Sequence, residues 1–277
     1  MHTISIESRI IRKVTPNEFS EKEDQLAIEE PLEIQISFLA EGKRILKNVS
    51  ITMRTPGHDD ELATGFLFTE GIIQNKGQVK AAKSSVPDEN NIVVTLTDTE
   101  TPVLKSLERN FYTTSSCGVC GKASIDAIKT ISMYSEPGDE MTITKAVLFE
   151  LPASLQKQQN IFKSTGGLHA SALFDMKGNF IALREDVGRH NALDKVIGSA
   201  FYNDQLPLTS MILLLSGRAS FELIQKANMA GIRIVAAIGA PSSLAAQLAE
   251  ECNMTLIGFL GSEKFNIYSG WNRVKEL

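Results

Sequence analysis

Three runs decide the fold: Met211-Ile212-Leu213-Leu214-Leu215, then Phe221-Glu222-Leu223-Ile224-Gln225-Lys226-Ala227-Asn228-Met229, then Ile232-Arg233-Ile234-Val235-Ala236-Ala237-Ile238. The outer two are short and almost wholly apolar, which predicts strands buried on both faces. The middle run reads as a helix. Strand, helix, strand in this order makes parallel pairing the default, through a right-handed crossover.

Working outward, Ser242 or Ser243 is placed to cap a helix carrying Leu244, Leu248 and Cys252 on one face, and 256–260 is a last strand. Upstream, 191–201 is an amphipathic helix, and 172–174 pairs with 180–183 across a turn at 175–179. Residues 144–160 are helix-like, with Pro152 as a kink point. The C-terminal half is therefore an α/β layered domain. The N-terminal half reads as α+β. Strand-like alternation over 32–38 returns over 45–53 after a turn at 41–43, a hairpin. Residues 58–73 form a helix stopped at Gly71, and 79–83 and 92–96 are strands. Residues 4–14 alternate as a strand, interrupted by Pro16 and the charged run Glu21 to Asp24. The turn-forming residues 135–139 set the boundary, giving an N-terminal unit of 1–138 and a C-terminal unit of 139–277.

The 277 residues suffice for a sizeable core, so no disulfide or metal is needed to hold the fold. The net charge of −5 argues against a nucleic-acid binder, which needs a basic surface. No apolar run is long enough to cross a membrane. The first fourteen residues mix charges with isoleucines and do not read as a signal peptide. Three cysteines make no disulfide framework, so the expected location is the cytoplasm.

Two of those cysteines stand in Ser116-Cys117-Gly118-Val119-Cys120-Gly121-Lys122. The glycines leave room for a bulky partner, and Lys122 favours the thiolate. A reactive thiol loop fits this pattern. A structural zinc site stays open, with Cys252 and His2, His58, His169 and His190 as the remaining ligand candidates. Gly166-Gly167-Leu168-His169-Ala170-Ser171 suits a pocket floor. It echoes the H-x-E element of zinc deaminases, but Ser171 stands where the proton-shuttling glutamate would be. The polar run from Arg184 to Asn191 falls between a strand and a helix, where Asp186 or Asn191 could equally cap the helix. Ser216-Gly217-Arg218-Ala219-Ser220 and Gly239-Ala240-Pro241-Ser242-Ser243 each follow a buried strand and open a helix. Adjacent parallel strands would bring the two loops side by side, where α/β proteins bind ligands and where backbone N–H groups and Arg218 could hold a phosphate.

Taken together, 116–122, Gly166-Gly167-Leu168-His169-Ala170, 185–195 and Ser216-Gly217-Arg218 resemble the formate dehydrogenase accessory sulfurtransferases, over about 31–268. The run from Glu185 to Lys195 is the most specific part of the resemblance. It implies a C-terminal cytidine-deaminase-like α/β domain preceded by a smaller α+β domain. It implies a homodimer that takes persulfide sulfur from a cysteine desulfurase. The sulfur then goes to a bis-molybdopterin guanine dinucleotide cofactor destined for formate dehydrogenase. On this resemblance Cys117 is the persulfide carrier and Cys120 an auxiliary thiol. The guanine nucleotide moiety falls to Phe259, Leu260, Gly261, Ser262, Glu263 and Lys264, with Gly261 where the family often has arginine. The cofactor is then a bound substrate, and no permanent metal is expected. The other reading of the same residues is a non-catalytic nucleotide- or zinc-binding assembly factor with a structural CxxC.

Overall fold

The computed structural model describes residues 5–85, 88–102, 134 and 141–276. The cysteine motif, the helix expected after it and the boundary residues 135–139 lie outside the described residues. Among the described residues no helix is long and apolar enough to cross a membrane.

The N-terminal part begins with a two-stranded antiparallel ribbon, β1 (Ile6–Val14) and β2 (Phe19–Ala27). Here the expectation is corrected: the charged run Glu21 to Asp24 does not interrupt a strand but belongs to one. Most of the ribbon is open to solvent, so its strands need no apolar alternation. Opposite charges support it instead, with Arg9 across from Asp24 and Arg12 across from Glu21.

The hairpin β3 (Glu30–Ala40) and β4 (Lys43–Arg54) turns at Glu41-Gly42, both with positive φ (51° and 74°), the backbone of a type I′ turn. Helix α1 (Asp59–Thr69) follows, and Gly71 (φ 71°) ends its last turn. Strands β5 (Val79–Ser85) and β6 (Asp88–Leu96) complete a sheet ordered β4-β3-β6-β5, with β6 parallel to β3.

The C-terminal part opens with β7 (Ile143–Thr144), α2 (Lys145–Gln158) and α3 (Asn160–Thr165). Pro152 lies inside α2, and the chain leaves the helix only at Gln159. Then come β8 (His169–Asp175), β9 (Phe180–Asp186), α4 (Arg189–Tyr202), β10 (Met211–Leu215), α5 (Phe221–Met229) and β11 (Ile234–Ala237). Helix α6 (Ser243–Glu251), β12 (Thr255–Gly258), β13 (Asn266–Ser269) and β14 (Val274–Lys275) close the chain. Six strands form one sheet in the order β13-β12-β11-β10-β8-β9, and β14 pairs with β7. The expected parallel core is present: Ile212 faces Ile234 and Val235 faces Leu256 across β10-β11-β12.

Alternation along these strands sends side chains into two cores. Ile212, Leu214, Ile234, Ala236 and Ile257 pack with Leu148, Leu151 and Leu155 of α2. Leu213, Leu215, Val235 and Leu256 pack with α4, α5 and α6 in a core that runs on through α1 to Leu32, Ile34 and Ile36 of β3. The two halves thus share one core. Helices α1 and α4 meet backbone to backbone. A Cβ added at Gly65 would lie 1.9 Å from the Asp194 carbonyl oxygen, and one at Gly198 would lie 1.9 Å from that of Glu61.

Candidate functional site

The polar residues singled out in the sequence converge at the carboxyl edge of β10, β11 and β12. Because β8 runs antiparallel to β10, its first residue, His169, lies at that same edge. Ser216 N–H donates to the Ala170 carbonyl (3.0 Å), and Ser216 Oγ accepts from Ala170 N–H (2.8 Å). A Cβ on Gly217 would sit 3.2 Å from His169 Nδ1, so the loop lies directly on the imidazole.

The two helix-opening loops are side by side, as expected. Gly239 N–H donates to the Gly217 carbonyl (3.0 Å), and Ser242 N–H donates to that of Ala219 (3.0 Å). Arg218 lies across Gly239, whose Cβ would meet Arg218 Cγ at 3.0 Å. Glycine is needed there for close approach. Phe259 N–H donates to the Gly239 carbonyl (3.1 Å), which joins the segment 259–264 to the same edge. His169, Gly217, Gly239 and Phe259 therefore form one continuous row. The strand expected over 256–260 ends at Gly258, because Phe259 adopts a left-handed backbone (φ 53°) that leaves its ring 49% exposed. Gly261 N–H donates to the Lys264 carbonyl at 3.0 Å and closes a short turn. Arg189, Arg218 and Lys264 form no ion pair among the described residues. Their charges and the Ser242-capped start of α6 suit an anion.

The run from Glu185 to Lys195 divides into two jobs. Asp186 is fully buried and pairs with Lys195 at 2.7 Å. Lys195 Nζ also donates to the Thr55 carbonyl (2.8 Å), and Thr55 N–H donates to Asp186 Oδ2 (3.2 Å). Asn191 Nδ2 donates to the Met53 carbonyl (2.7 Å) and to Asp186 Oδ1 (3.1 Å). Asp194 pairs with Lys226 of α5 at 2.9 Å and accepts from Thr69 Oγ1 of α1 at 2.8 Å. Burial works against the charge on Lys226, but the Asp194 and Glu70 carboxylates outweigh it and hold the ammonium charged. These side chains clasp the N-terminal part to α4. Neither Asp186 nor Asn191 is the N-cap of α4; Gly188 is, without a side-chain cap.

Arg189 and His190 do the other job, at the strand edge. Burial, then the charges of Arg189 and His190, push the His169 pKa below the ordinary histidine value, with Asp186 opposing them. His169 is therefore a neutral imidazole at pH 7. His190 Nε2 lies 3.4 Å from Ser220 Oγ and 3.8 Å from Glu222 Oε2. The bond from His190 is the main reason the Glu222 carboxyl is drawn down to about 2, against its burial. Ser220 ends the 216–220 loop already singled out, but Glu222 was not foreseen as a site residue. The one signal was its place in the first turn of α5, where a carboxylate also reads as ordinary helix stabilisation. Cys252 closes α6, half-buried against the core. Cys117 and Cys120, the expected carriers of the chemistry, lie outside the described residues. Among the described residues no group of three or more His, Cys, Asp or Glu side chains could hold a metal ion.

Fold and edge together define a mixed α/β protein with a cationic, histidine-bearing candidate site at the carboxyl ends of its parallel strands. The model of the FdhD/NarQ family matches residues 27–275, and the chain belongs to that family. It is 46% identical over 273 residues to a sulfur carrier protein FdhD of Mycolicibacterium paratuberculosis, covering 96% of this chain and 97% of the relative. It is 44% identical to the protein of the same name from Picrophilus torridus, over 91% of this chain and 92% of that one. A solved structure of a candidate formate dehydrogenase accessory protein from Desulfotalea psychrophila has the same fold. Its TM-score is 0.74 at 20% identity, over 98% of this chain and 100% of that one.

Proposed function

We propose that this protein is a sulfur carrier, a sulfurtransferase of the cytoplasm that works as a homodimer. It accepts persulfide sulfur from a cysteine desulfurase on Cys117 and delivers it to a bis-molybdopterin guanine dinucleotide cofactor destined for formate dehydrogenase. Near-full-length similarity to proteins named as sulfur carriers carries this reading. The row of His169, Gly217, Gly239 and Phe259 supports it, because a cationic strand edge with an exposed aromatic ring suits a guanine nucleotide. The cofactor is cargo here, held by Arg218 and Lys264.

Sulfur loading follows thiol–disulfide exchange chemistry. The Cys117 thiolate attacks the outer sulfur of the donor persulfide, and the donor cysteine leaves as thiolate. Intact-mass spectrometry after incubation with a cysteine desulfurase and cysteine tests this. Wild type gains about one sulfur per chain, as sulfane transfer to one thiolate requires. Cys117→Ala gains none, and Cys120→Ala still loads. No gain in wild type, with zinc bound, would establish the structural reading of the CxxC instead.

A further inference from the structure

The ribbon of β1 and β2 keeps one face uncovered. Residues opposite each other across the two strands share a face, so Ile10 with Glu23, Arg12 with Glu21, and Val14 with Phe19 lie together. On that face Ile10, Val14 and Phe19 are 69%, 60% and 67% exposed. The other face carries Ile11, Ser20 and Asp24, all half-buried, and β2 packs against α3. A lone two-stranded ribbon is marginal in water and gains stability when its apolar face is covered. Three large apolar side chains left together in solvent mark a contact surface.

The charges on this face say what covers it. Arg12 lies over the Phe19 ring, 5.1 Å from its centroid. None of Arg12, Glu21 and Glu23 makes an ion pair among the described residues. A partner of one sign would meet like charge on one strand or the other. A second copy of the ribbon would not. When two such faces pack about a two-fold axis along the ribbon, β1 of each copy lies over β2 of the other, at the same level. Val14 then meets Phe19 of the second copy. Arg12 meets Glu21 of the second copy, with Glu23 one rung along.

We propose that this ribbon face is the contact between two copies of the chain. The proposal deepens the homodimer reading above and rests on it. A face two strands wide and about 30 Å long falls short of the roughly 800 Å² per partner of a standard interface. The dimer is therefore weak, with a dissociation constant on the order of micromolar.

Sedimentation equilibrium of the full-length chain over ~1 to 100 μM tests this, a range that brackets such an affinity. The wild type is expected to be a monomer–dimer mixture. Phe19→Ser weakens association about tenfold or more, as loss of an aromatic anchor does. Arg12→Glu and Glu21→Arg each set like charges against one another and weaken it similarly. Mixed one to one, these two variants restore it, because each altered strand then meets its complement. The mixture also guards against misfolding, since two damaged ribbons cannot rescue each other. Wild-type association in all three single variants overturns the proposal and leaves a dimer joined elsewhere. Weakened single variants without rescue in the mixture overturn the two-fold contact. Unchanged association in Phe19→Ser, with persulfide loading by a cysteine desulfurase lost, overturns it too and gives the face to the sulfur donor. A wild type that stays monomeric throughout overturns the homodimer reading itself, and the proposal falls with it.

Discussion

Asp186 and Lys195 meet at 2.7 Å with neither side chain more than 2% exposed. The pair is not isolated, since both residues also bind the backbone of Thr55, which follows β4. The ion pair is therefore a rivet between the N-terminal sheet and α4. Lys195→Met leaves the Asp186 carboxylate buried without its counter-ion and is expected to cost about 3–5 kcal/mol in urea unfolding. A loss under about 1 kcal/mol, the range of an exposed pair, would show that the clasp does not hold the halves together.

Gly198→Ala is expected to lower stability by about 1–3 kcal/mol or more, because the new methyl meets the Glu61 carbonyl and the helices must part. Gly261→Ala is the control, since a Cβ there meets only the Lys264 carbonyl at an ordinary 3.7 Å. Equal melting temperatures for the two variants would contradict the close crossing of α1 and α4.

Glu61 supplies an acid-sensitive part of the stability. Burial pushes its carboxyl up, but the paired bonds from Arg184 (2.5 and 2.7 Å) and the contact with His58 outweigh this and bring it down to about 2. A depressed carboxyl stabilises the folded state above its unfolded value of about 4.5, and that stability is lost as pH falls toward about 2. Unfolding measured from pH 6 to 2 should show a shallower acid limb in Glu61→Gln than in wild type. Parallel curves would mean that the network contributes nothing.

At the strand edge, Arg218→Ala is expected to weaken binding of guanosine diphosphate about tenfold or more, the scale of one charged hydrogen bond. A Cβ at Gly261 meets only the Lys264 carbonyl at 3.7 Å, and Gly261→Arg should tighten binding by adding a cation. Titration calorimetry checks both. Unchanged affinity in both variants would move the nucleotide away from this edge.

The apolar runs of 211–260 determined the parallel core on their own, because a strand buried on both faces leaves little choice of residue. The turn at Glu41-Gly42 was equally legible, since the turn chemistry is local. The convergence of the loops after β10 and β11 followed from parallel pairing alone. Tertiary structure decided the rest. The charged run Glu21 to Asp24 became a strand because its partner, not a core, stabilises it. The run from Glu185 to Lys195 carries one polar signal along the chain. Only the packing of β4 and α1 against α4 sorts Asp186, Asn191, Asp194 and Lys195 into a clasp and leaves Arg189 and His190 at the strand edge. Glu222 lies thirty-two positions from His190 and is joined to it solely by the approach of α5 to α4. Charge in a sequence has no address until the fold places its counter-charge.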